Sequence, residues 1–233
     1  MSNIRLFFPE SLSINLIGKL NKKQSHYLTK VMRIEIGNKF SLFNENGEWE
    51  ARINIILKGI VEFSIIKKIR SKKIEREVWL AFAPIKLNYL NLMIQKATEL
   101  GVSKFLPILT ERTIVRKINK NRLNRIIVEA SEQSDRLKVP KLEEISRLDN
   151  FLKINQKNII VFGDLNTNNK KFVINKTEPV CILIGPEGDF TEKERENILK
   201  YKNIVPLKVN QNILRSETAA ISMISIITFN LLS

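Results

Sequence analysis

The residue pattern predicts an α/β protein in two parts, a small β-rich domain followed by a larger one built on a mostly parallel sheet. Three observations carry this. Short β-rich runs fill the chain from Arg5 to about Arg70. From Val78 onward strand-like and helix-like segments alternate, the punctuation of βαβ units. Several of the later strands, Cys181 to Ile184 among them, are apolar at every position, as a parallel sheet covered on both faces requires.

In the first part the strand candidates are Arg5 to Phe8, Lys39 to Phe43, Glu48 to Leu57 and Ile60 to Ile69, and the Asn-Gly dipeptide within Glu45 to Glu48 marks a tight hairpin. The intervening NKKQSHYLTKVMR places His26, Tyr27 and Val31 at helical spacing, with Asn21 as a candidate cap. With no Ser or Cys nucleophile or carboxylate motif around it, His26 reads as a packing or surface residue. The charged segment Ser71 to Glu77 separates the parts, giving domains of residues 1–72 and 73–233.

The second part opens with VWLAFA, a helix from Leu87 to Leu100 closed by Gly101, the strand KFLPIL, and a helix from about Asn119 to Asp135. NIIVFGD, VCILIGPEG, a polar helix around Thr191 to Lys200, IVPLKV and a final apolar helix complete the alternation. The only low-complexity stretch is the Asn/Lys-rich Asn166 to Lys171. The run Thr218 to Leu232 falls short of the roughly 20 residues of a membrane span, and Ser222, Ser225, Thr228 and Asn230 interrupt it. It reads as a buried or interface helix. The N-terminus has no basic segment followed by an unbroken apolar core, so a cytoplasmic protein is expected.

Composition narrows the function. One Cys excludes an internal disulfide, and one His with one Cys leaves too few soft ligands for structural zinc. The 39 Lys and Arg against 24 Asp and Glu, a formal charge of +15, suit a polyanionic partner; the over-use of Ile, Lys and Asn expected from an A/T-rich genome explains part of that excess.

Three clusters could carry chemistry. Of eight glycines, Gly163, Gly185 and Gly188 fall at the carboxyl ends of two predicted strands, where open α/β sheets bind ligands. GPEGDFTEKE (Gly185 to Glu194) is a strand-to-helix turn in which the glycines permit positive φ or close approach, Pro186 stiffens the loop and Thr191 can cap the next helix. Neither GxxxxGK[ST] nor GxGxxG occurs. VNQNILRSETAA (Val209 to Ala220) sets Arg215 beside a helix start, with Ser216 or Thr218 as possible caps: either a capping box with an incidental arginine, or a cation presented to an anionic group. VEASEQSDR (Val128 to Arg136) spaces Glu132 and Arg136 one turn apart, which an ion pair also explains. The tract Lys104 to Arg125, with seven basic residues and one acid, is the best candidate for an RNA-facing strip.

Taken together, QKATELGV (Gln95 to Val102), TERT (Thr110 to Thr113), EASEQSDR (Glu129 to Arg136), LIGPEGDFTEKE (Leu183 to Glu194) and LRSETAA (Leu214 to Ala220) make the chain resemble the RsmE family of 16S ribosomal RNA (uracil-N3) methyltransferases, of the SPOUT class. With RLFF and SHYLTKVMR the likeness covers nearly the whole chain. It implies a small N-terminal PUA-like β-barrel domain, a C-terminal SPOUT-type α/β domain tied in a deep trefoil knot, and S-adenosylmethionine (SAM) as cofactor. The implied partners are 16S rRNA in the small ribosomal subunit and a second copy in a homodimer, without membrane or metal.

Carried over residue by residue, the resemblance implies cofactor contacts from Phe162, Gly163, Leu183, Ile184, Gly185, Pro186, Glu187, Gly188, Leu207, Val209, Asn210, Ile213, Leu214, Arg215, Thr218 and Ala219. RNA contacts are expected from Arg112, Arg116, Lys117 and Arg136. Arg215 is the expected catalytic cation, with Glu217 or Glu132 as proton acceptor. Where the family commonly has Gly and then a basic residue, this chain has Asn210 and Asn212; Asn tolerates left-handed backbone, so the loop is expected to keep its shape without the basic side chain's interaction. Competing readings are a SPOUT enzyme acting on a ribose hydroxyl or another base, and a non-catalytic rRNA-binding assembly factor. A nucleotide hydrolase lacks its phosphate-loop and metal-ligand signatures.

Overall fold

The computed structural model describes residues 4–72, 76–169 and 178–232. Residues 73–75 of the separating segment, and Lys170 and Lys171 of the Asn/Lys-rich stretch, lie outside the described residues. The chain forms two compact units, one of residues 4–72 with Ser131–Val139, the other of residues 76–130 with 140–232.

The first unit contains β1 (Arg5–Phe7), β2 (Ile17–Lys19), α1 (Lys22–His26), which continues through a wider turn over Tyr27–Val31, then β3 (Lys39–Asn44), β4 (Gly47–Leu57) and β5 (Ile60–Ser71). Asn21 caps α1, its side chain accepting the Gln24 amide at 2.9 Å. Gly47 has φ 147°, and a Cβ there would stand 2.5 Å from the Arg70 carbonyl, so the hairpin needs glycine. The sheet order is β1-β3-β4-β5-β2, with β1 parallel to β3 and the other pairs antiparallel. Among the described residues the pairings run from β1 to β2, both three residues long, giving a mixed sheet. In β5, Val61, Phe63 and Ile65 alternate inward to meet Leu28, Phe40 and Ile53. His26 is exposed, as expected.

The segment Ser131–Val139 joins this unit, whereas the sequence pattern assigns everything after residue 72 to the second domain. The cause is Arg5. Its guanidinium donates to the carbonyls of Ser131 (3.4 Å), Glu132 (2.9 Å) and Arg136 (2.9 Å) while Nε reaches Glu48 at 3.1 Å. Carbonyls at a helix C-terminus lack intrahelical partners and accept a cation readily.

The second unit contains β6 (Val78–Phe82), α2 (Leu87–Glu99), β7 (Val102–Leu109), α3 (Lys120–Gln133, its last turn in the first unit), β8 (Lys141–Leu142), β9 (Ser146–Arg147), α4 (Leu148–Ile154), β10 (Ile159–Gly163), β11 (Val180–Ile184), α5 (Glu192–Leu199), β12 (Ile204–Leu207) and α6 (Ser216–Leu232). In this unit β8, β9 and α4 were not foreseen, and in the first unit β2 was not. Gly101 (φ 102°) follows α2 as predicted.

The sheet order is β12-β10-β11-β6-β7-β8, with β9 also on β7, and every pairing is parallel. The all-apolar strand β11 is buried along its whole length at the centre. Because β12, β10 and β11 are adjacent and parallel, their carboxyl ends share one edge, and the loops leaving them meet there. The knot is expected in the last segments of the chain; between β10 and β11, residues 170–177 lie outside the described residues.

α6 packs on α2, β11 and β6, burying Ala220, Met223, Ile224 and Ile227. Phe229 remains 72% exposed, so the helix is covered on one side only. Among the described residues no helix is long and apolar enough to cross a membrane.

Candidate active site

A cavity of about 290 Å³ lies where the loops after β10, β11 and β12 meet the start of α6. Gly163, Asp164 and Leu165 come from the first loop, Ile184 to Asp189 from the second, and Leu207, Val209, Asn210, Asn212, Ile213 and Leu214 from the third. Ser216, Ala219 and Met223 of α6 close it, three positions at helical spacing on one face.

The glycines act by absence of bulk. A Cβ on Gly185 would sit 2.8 Å from the Phe190 ring, which itself packs edge-on against Phe162 at 5.4 Å between centroids. A Cβ on Gly163 would meet the Met223 sulfur at 3.0 Å. At Gly188 the nearest atom would be Arg112 Cδ at 3.6 Å, ordinary contact, so the protein itself does not require glycine there and the bare backbone edge faces the cavity. Of the two uses foreseen for these glycines, positive φ or close approach, Gly185 shows the second; positive φ falls on Asp189 (φ 57°), whose Oδ1 accepts the Phe190 amide at 2.8 Å and so holds the turn.

Beyond that turn Thr191 caps α5 in a full capping box: Thr191 Oγ1 accepts the Glu194 amide, and Glu194 Oε2 accepts the Thr191 amide. Glu194 Oε1 accepts the Glu111 amide at 2.8 Å, tying the end of β7 to the loop, and Arg112 Nη1 donates to the Gly188 carbonyl at 2.7 Å. The third loop is anchored by Ser216, whose hydroxyl donates to the Gly185 carbonyl at 2.8 Å. Expected as a cap, Ser216 instead begins α6 and ties two cofactor loops together. Asn210 is not among the residues of positive φ; its Oδ1 accepts the Asn212 amide at 3.0 Å, so an Asx turn rather than left-handed backbone shapes the loop.

Charge around the cavity is uneven. Asp164, only 3% exposed at its side chain, makes a paired bridge with Arg195, Nε to Oδ1 and Nη2 to Oδ2 both at 3.0 Å, and this hydrogen bonding raises the Arg195 pKa. Burial, reinforced by the Asp164 charge, pushes Asp189 above the usual carboxylate range against its bond to the Phe190 amide and the cations Arg112 and Arg195. In β11, burial pushes the Cys181 thiol up to about 12, which makes it a core residue and no nucleophile.

Of the predicted cofactor residues, Gly163, Ile184 to Gly188, Leu207, Val209, Asn210, Ile213, Leu214 and Ala219 line the cavity. Phe162 and Leu183 lie behind it in the core, Thr218 is exposed, and Arg215 stands at the entrance to α6 with Nη1 3.0 Å from the Tyr89 hydroxyl and its guanidinium 5.3 Å from that ring. Glu217 is buried (6% exposed) on the neighbouring stripe of α6 with Ala220 and Ile224, and among the described residues no hydrogen bond or ion pair engages it. Glu132 belongs to the first unit, where its Oε1 accepts the Phe7 amide at 2.9 Å.

Arg116 and Lys117 are exposed, while Arg112 is engaged by the Gly188 loop. Arg136, expected as a phosphate contact, is 7% exposed; the packing that draws Ser131–Val139 onto the first unit buries it. Sequence reasoning missed Asp164, Leu165, Asp189, Asn212, Ser216 and Met223 as cavity residues. Met223 was findable, since it stands seven positions after Ser216 and four after Ala219 on a helix whose start was known.

Residues 72–228 match the family model of an RNA methyltransferase domain, and residues 20–66 that of an RNA methyltransferase PUA domain. A ribosomal RNA small subunit methyltransferase E from Rickettsia conorii is 33% identical over 206 residues, covering 86% of this chain and 84% of that protein. The chain belongs to this family of RNA methyltransferases. Its relative of the same name from Aquifex aeolicus is 26% identical over 231 residues, 96% of this chain and 99% of the other. Among solved structures, a family member from Neisseria gonorrhoeae bound to S-adenosyl methionine superposes with a TM-score of 0.89 at 25% identity, covering 98% of each chain. A methyltransferase from Legionella pneumophila in complex with SAM gives 0.87 at 28% identity, over 99% of this chain and 98% of that one.

Proposed function

We propose that this family member is a SAM-dependent methyltransferase that modifies N3 of a uridine in 16S rRNA of the small ribosomal subunit, acting in the cytoplasm as a homodimer. The observation that carries the reading is the cavity where three parallel strands end, with glycine at the two places where an added Cβ would strike neighbouring side chains and at Gly188, where bare backbone is left for a ligand. Its size is near the lower end of the roughly 300–1,000 Å³ of small-molecule sites.

The residues present fit SAM. Leu165, Ile184, Leu207, Ile213 and Leu214 offer apolar walls to a purine ring, the bare edges at Gly185 and Gly188 offer backbone polar groups, and Glu187 and Asp189 suit hydroxyls and positive charge. Phe162 and Leu183 serve this site by packing in the core behind it. When bound, SAM supplies a methyl group activated by a sulfonium.

This chain's own task is to hold uracil in line and move a proton. N3 attacks only once its imide proton is lost, and charge then develops on the flanking carbonyl oxygens. Arg215, at the helix start and steadied by Tyr89, is the cation that stabilises that charge. Glu217, buried two residues further on with no protein partner among the described residues, takes the proton; Glu132, bonded to the Phe7 amide, is the weaker candidate. The uridine must leave its stack to reach such a pocket. Arg116 and Lys117 contact phosphates, and Arg112 acts through the Gly188 loop. The homodimer rests on α6, whose exposed Phe229 at 72% lies on a helix apolar nearly all round.

The test is methyl transfer from isotopically labelled SAM to small subunits of cells lacking this gene, with the product located by nucleoside mass spectrometry and reverse-transcription stops. One N3-methyluridine in 16S rRNA is expected. A methyl group on a ribose or another base overturns the target, and absence of SAM binding overturns the enzyme in favour of an assembly factor. Arg215→Ala is expected to lower the rate at saturating SAM and RNA about 10²–10³-fold, the cost of losing one donor to a developing oxyanion.

A further inference from the structure

A second hollow, of about 690 Å³, opens in the C-terminal unit and shares no residue with the cofactor cavity. It lies between the end of β7, the β9–α4 junction and α5. Five basic side chains come together there: Arg116, Arg147, Lys153, Lys193 and Lys200. All five are exposed, and among the described residues none makes a side-chain hydrogen bond, ion pair or ring contact. They arrive from three separate segments of chain, so no local repeat of lysines explains the convergence.

The carboxylates of the same hollow do not neutralise them. Glu194 accepts two backbone amides, and Asp149 accepts the Asn197 side-chain amide at 3.0 Å. Glu111 and Glu196 are exposed and carry no side-chain partner among the described residues. Unpaired cations beside unpaired carboxylates fit one ligand chemistry well. RNA brings phosphate oxygens for the cations and, at each ribose, a 2′-hydroxyl that can donate to a carboxylate. Tyr201 at the wall adds a face on which a base can stack. The hollow is also coupled to the cofactor loop, because the Glu111 amide is held by Glu194 and the next residue, Arg112, holds the Gly188 carbonyl.

We propose that this hollow is an RNA-binding site that grips the phosphate backbone of the substrate rRNA at a distance from the target base. The inference rests on the reading of the chain as an rRNA methyltransferase. Arg147, Lys153, Lys193 and Lys200 thereby extend the basic strip to which Arg116 belongs.

The test uses the full chain and transcribed 16S rRNA, with affinity measured across salt concentrations without SAM. For R147Q/K153Q/K200Q the slope of log K against log[salt] is expected to flatten by about 2, at roughly 0.7–0.9 for each phosphate no longer neutralised, with affinity at least about tenfold lower near 0.1 M salt. Titration with SAM is expected to match the wild type. A control, K19Q/K39Q/K141Q, removes the same charge from lysines that already sit in ion pairs, and its slope is expected to stay near the wild-type value. Equal flattening in both variants would assign the effect to net charge and overturn the site, as would an unchanged slope in the first. Loss of binding to assembled subunits with naked rRNA binding intact would make the partner a ribosomal protein and overturn the RNA assignment. If the wild type binds SAM but no rRNA, the proposal falls while the cofactor reading stands.

Discussion

The N-terminal unit and the cofactor edge of the C-terminal unit handle charge in opposite ways. In the first, Glu48 (4% exposed) lies between Arg5 at 3.1 Å and Arg70 at 2.6 Å, Arg70 also meets Asp135 at 2.8 Å, and Arg5 saturates three carbonyls. These charged groups are answered by the protein. In the second, Asp164 is answered by Arg195, but Glu217 is buried without a partner among the described residues, and Gly188 leaves backbone bare although nothing steric demands it. Groups that a protein satisfies internally hold the fold together, while those left unanswered mark where something else must bind.

The largest effect that sharpens this contrast is at Glu48. Glu48→Ala takes from Arg5 and Arg70 the buried carboxylate they share and leaves them Asp135 and, for Arg5, three carbonyls, so unfolding of the full chain in urea should show a loss of about 3 kcal/mol, the lower end for a broken buried pair, with the C-terminal unit's SAM affinity retained. A loss under about 1 kcal/mol would mean that the network is solvated, and the contrast between the two regions would collapse.

Next come the two glycines of the GPEG loop, which separate folding from binding. Gly185→Ala drives a methyl into the Phe190 ring at 2.8 Å and must disturb its packing on Phe162, an overpacking cost of about 1–3 kcal/mol. Gly188→Ala meets nothing closer than 3.6 Å, so stability should hold while SAM affinity, read by calorimetry, drops. Equal stability losses in the two variants would show that both glycines serve the fold.

Much of this was legible in the sequence, for physical reasons that differ by element. β11 could be read because burial on both faces demands an unbroken apolar run, and the start of α5 because Thr191 and Glu194 spell a capping box. The end of α3 could not. Glu132 and Arg136 keep the helical spacing of a surface pair, yet Arg5, more than 120 residues away, captures the carbonyls of that segment, and no local pattern announces a contact so distant in the chain. The short strands β8 and β9 and helix α4 escaped because their few apolar residues interleave with charge. In the site, residues named by glycine were found; Asp164 and Asp189 were not, because an acid after a strand is ordinary until the fold brings a second one near.

Those two acids give the smallest effect and the finest test of the contrast. Asp189 is part-buried, and burial with the nearby Asp164 charge raises its pKa. A carboxyl whose folded pKa exceeds its unfolded one binds more protons folded than unfolded, so stability is highest below the unfolded value near 4 and falls as pH rises through the folded pKa. Asp189→Asn removes that penalty, while its side-chain oxygen can still accept the Phe190 amide and Asn tolerates φ 57°. The variant should therefore match the wild type near pH 3 and exceed it at pH 7 by under about 1 kcal/mol, the modest scale of a partly solvated charge. Denaturation of the SAM-free protein at both pH values measures the difference. A variant less stable at pH 7 would mean that the Arg112 and Arg195 charges outweigh desolvation, and that this acid too belongs with the groups the protein has answered.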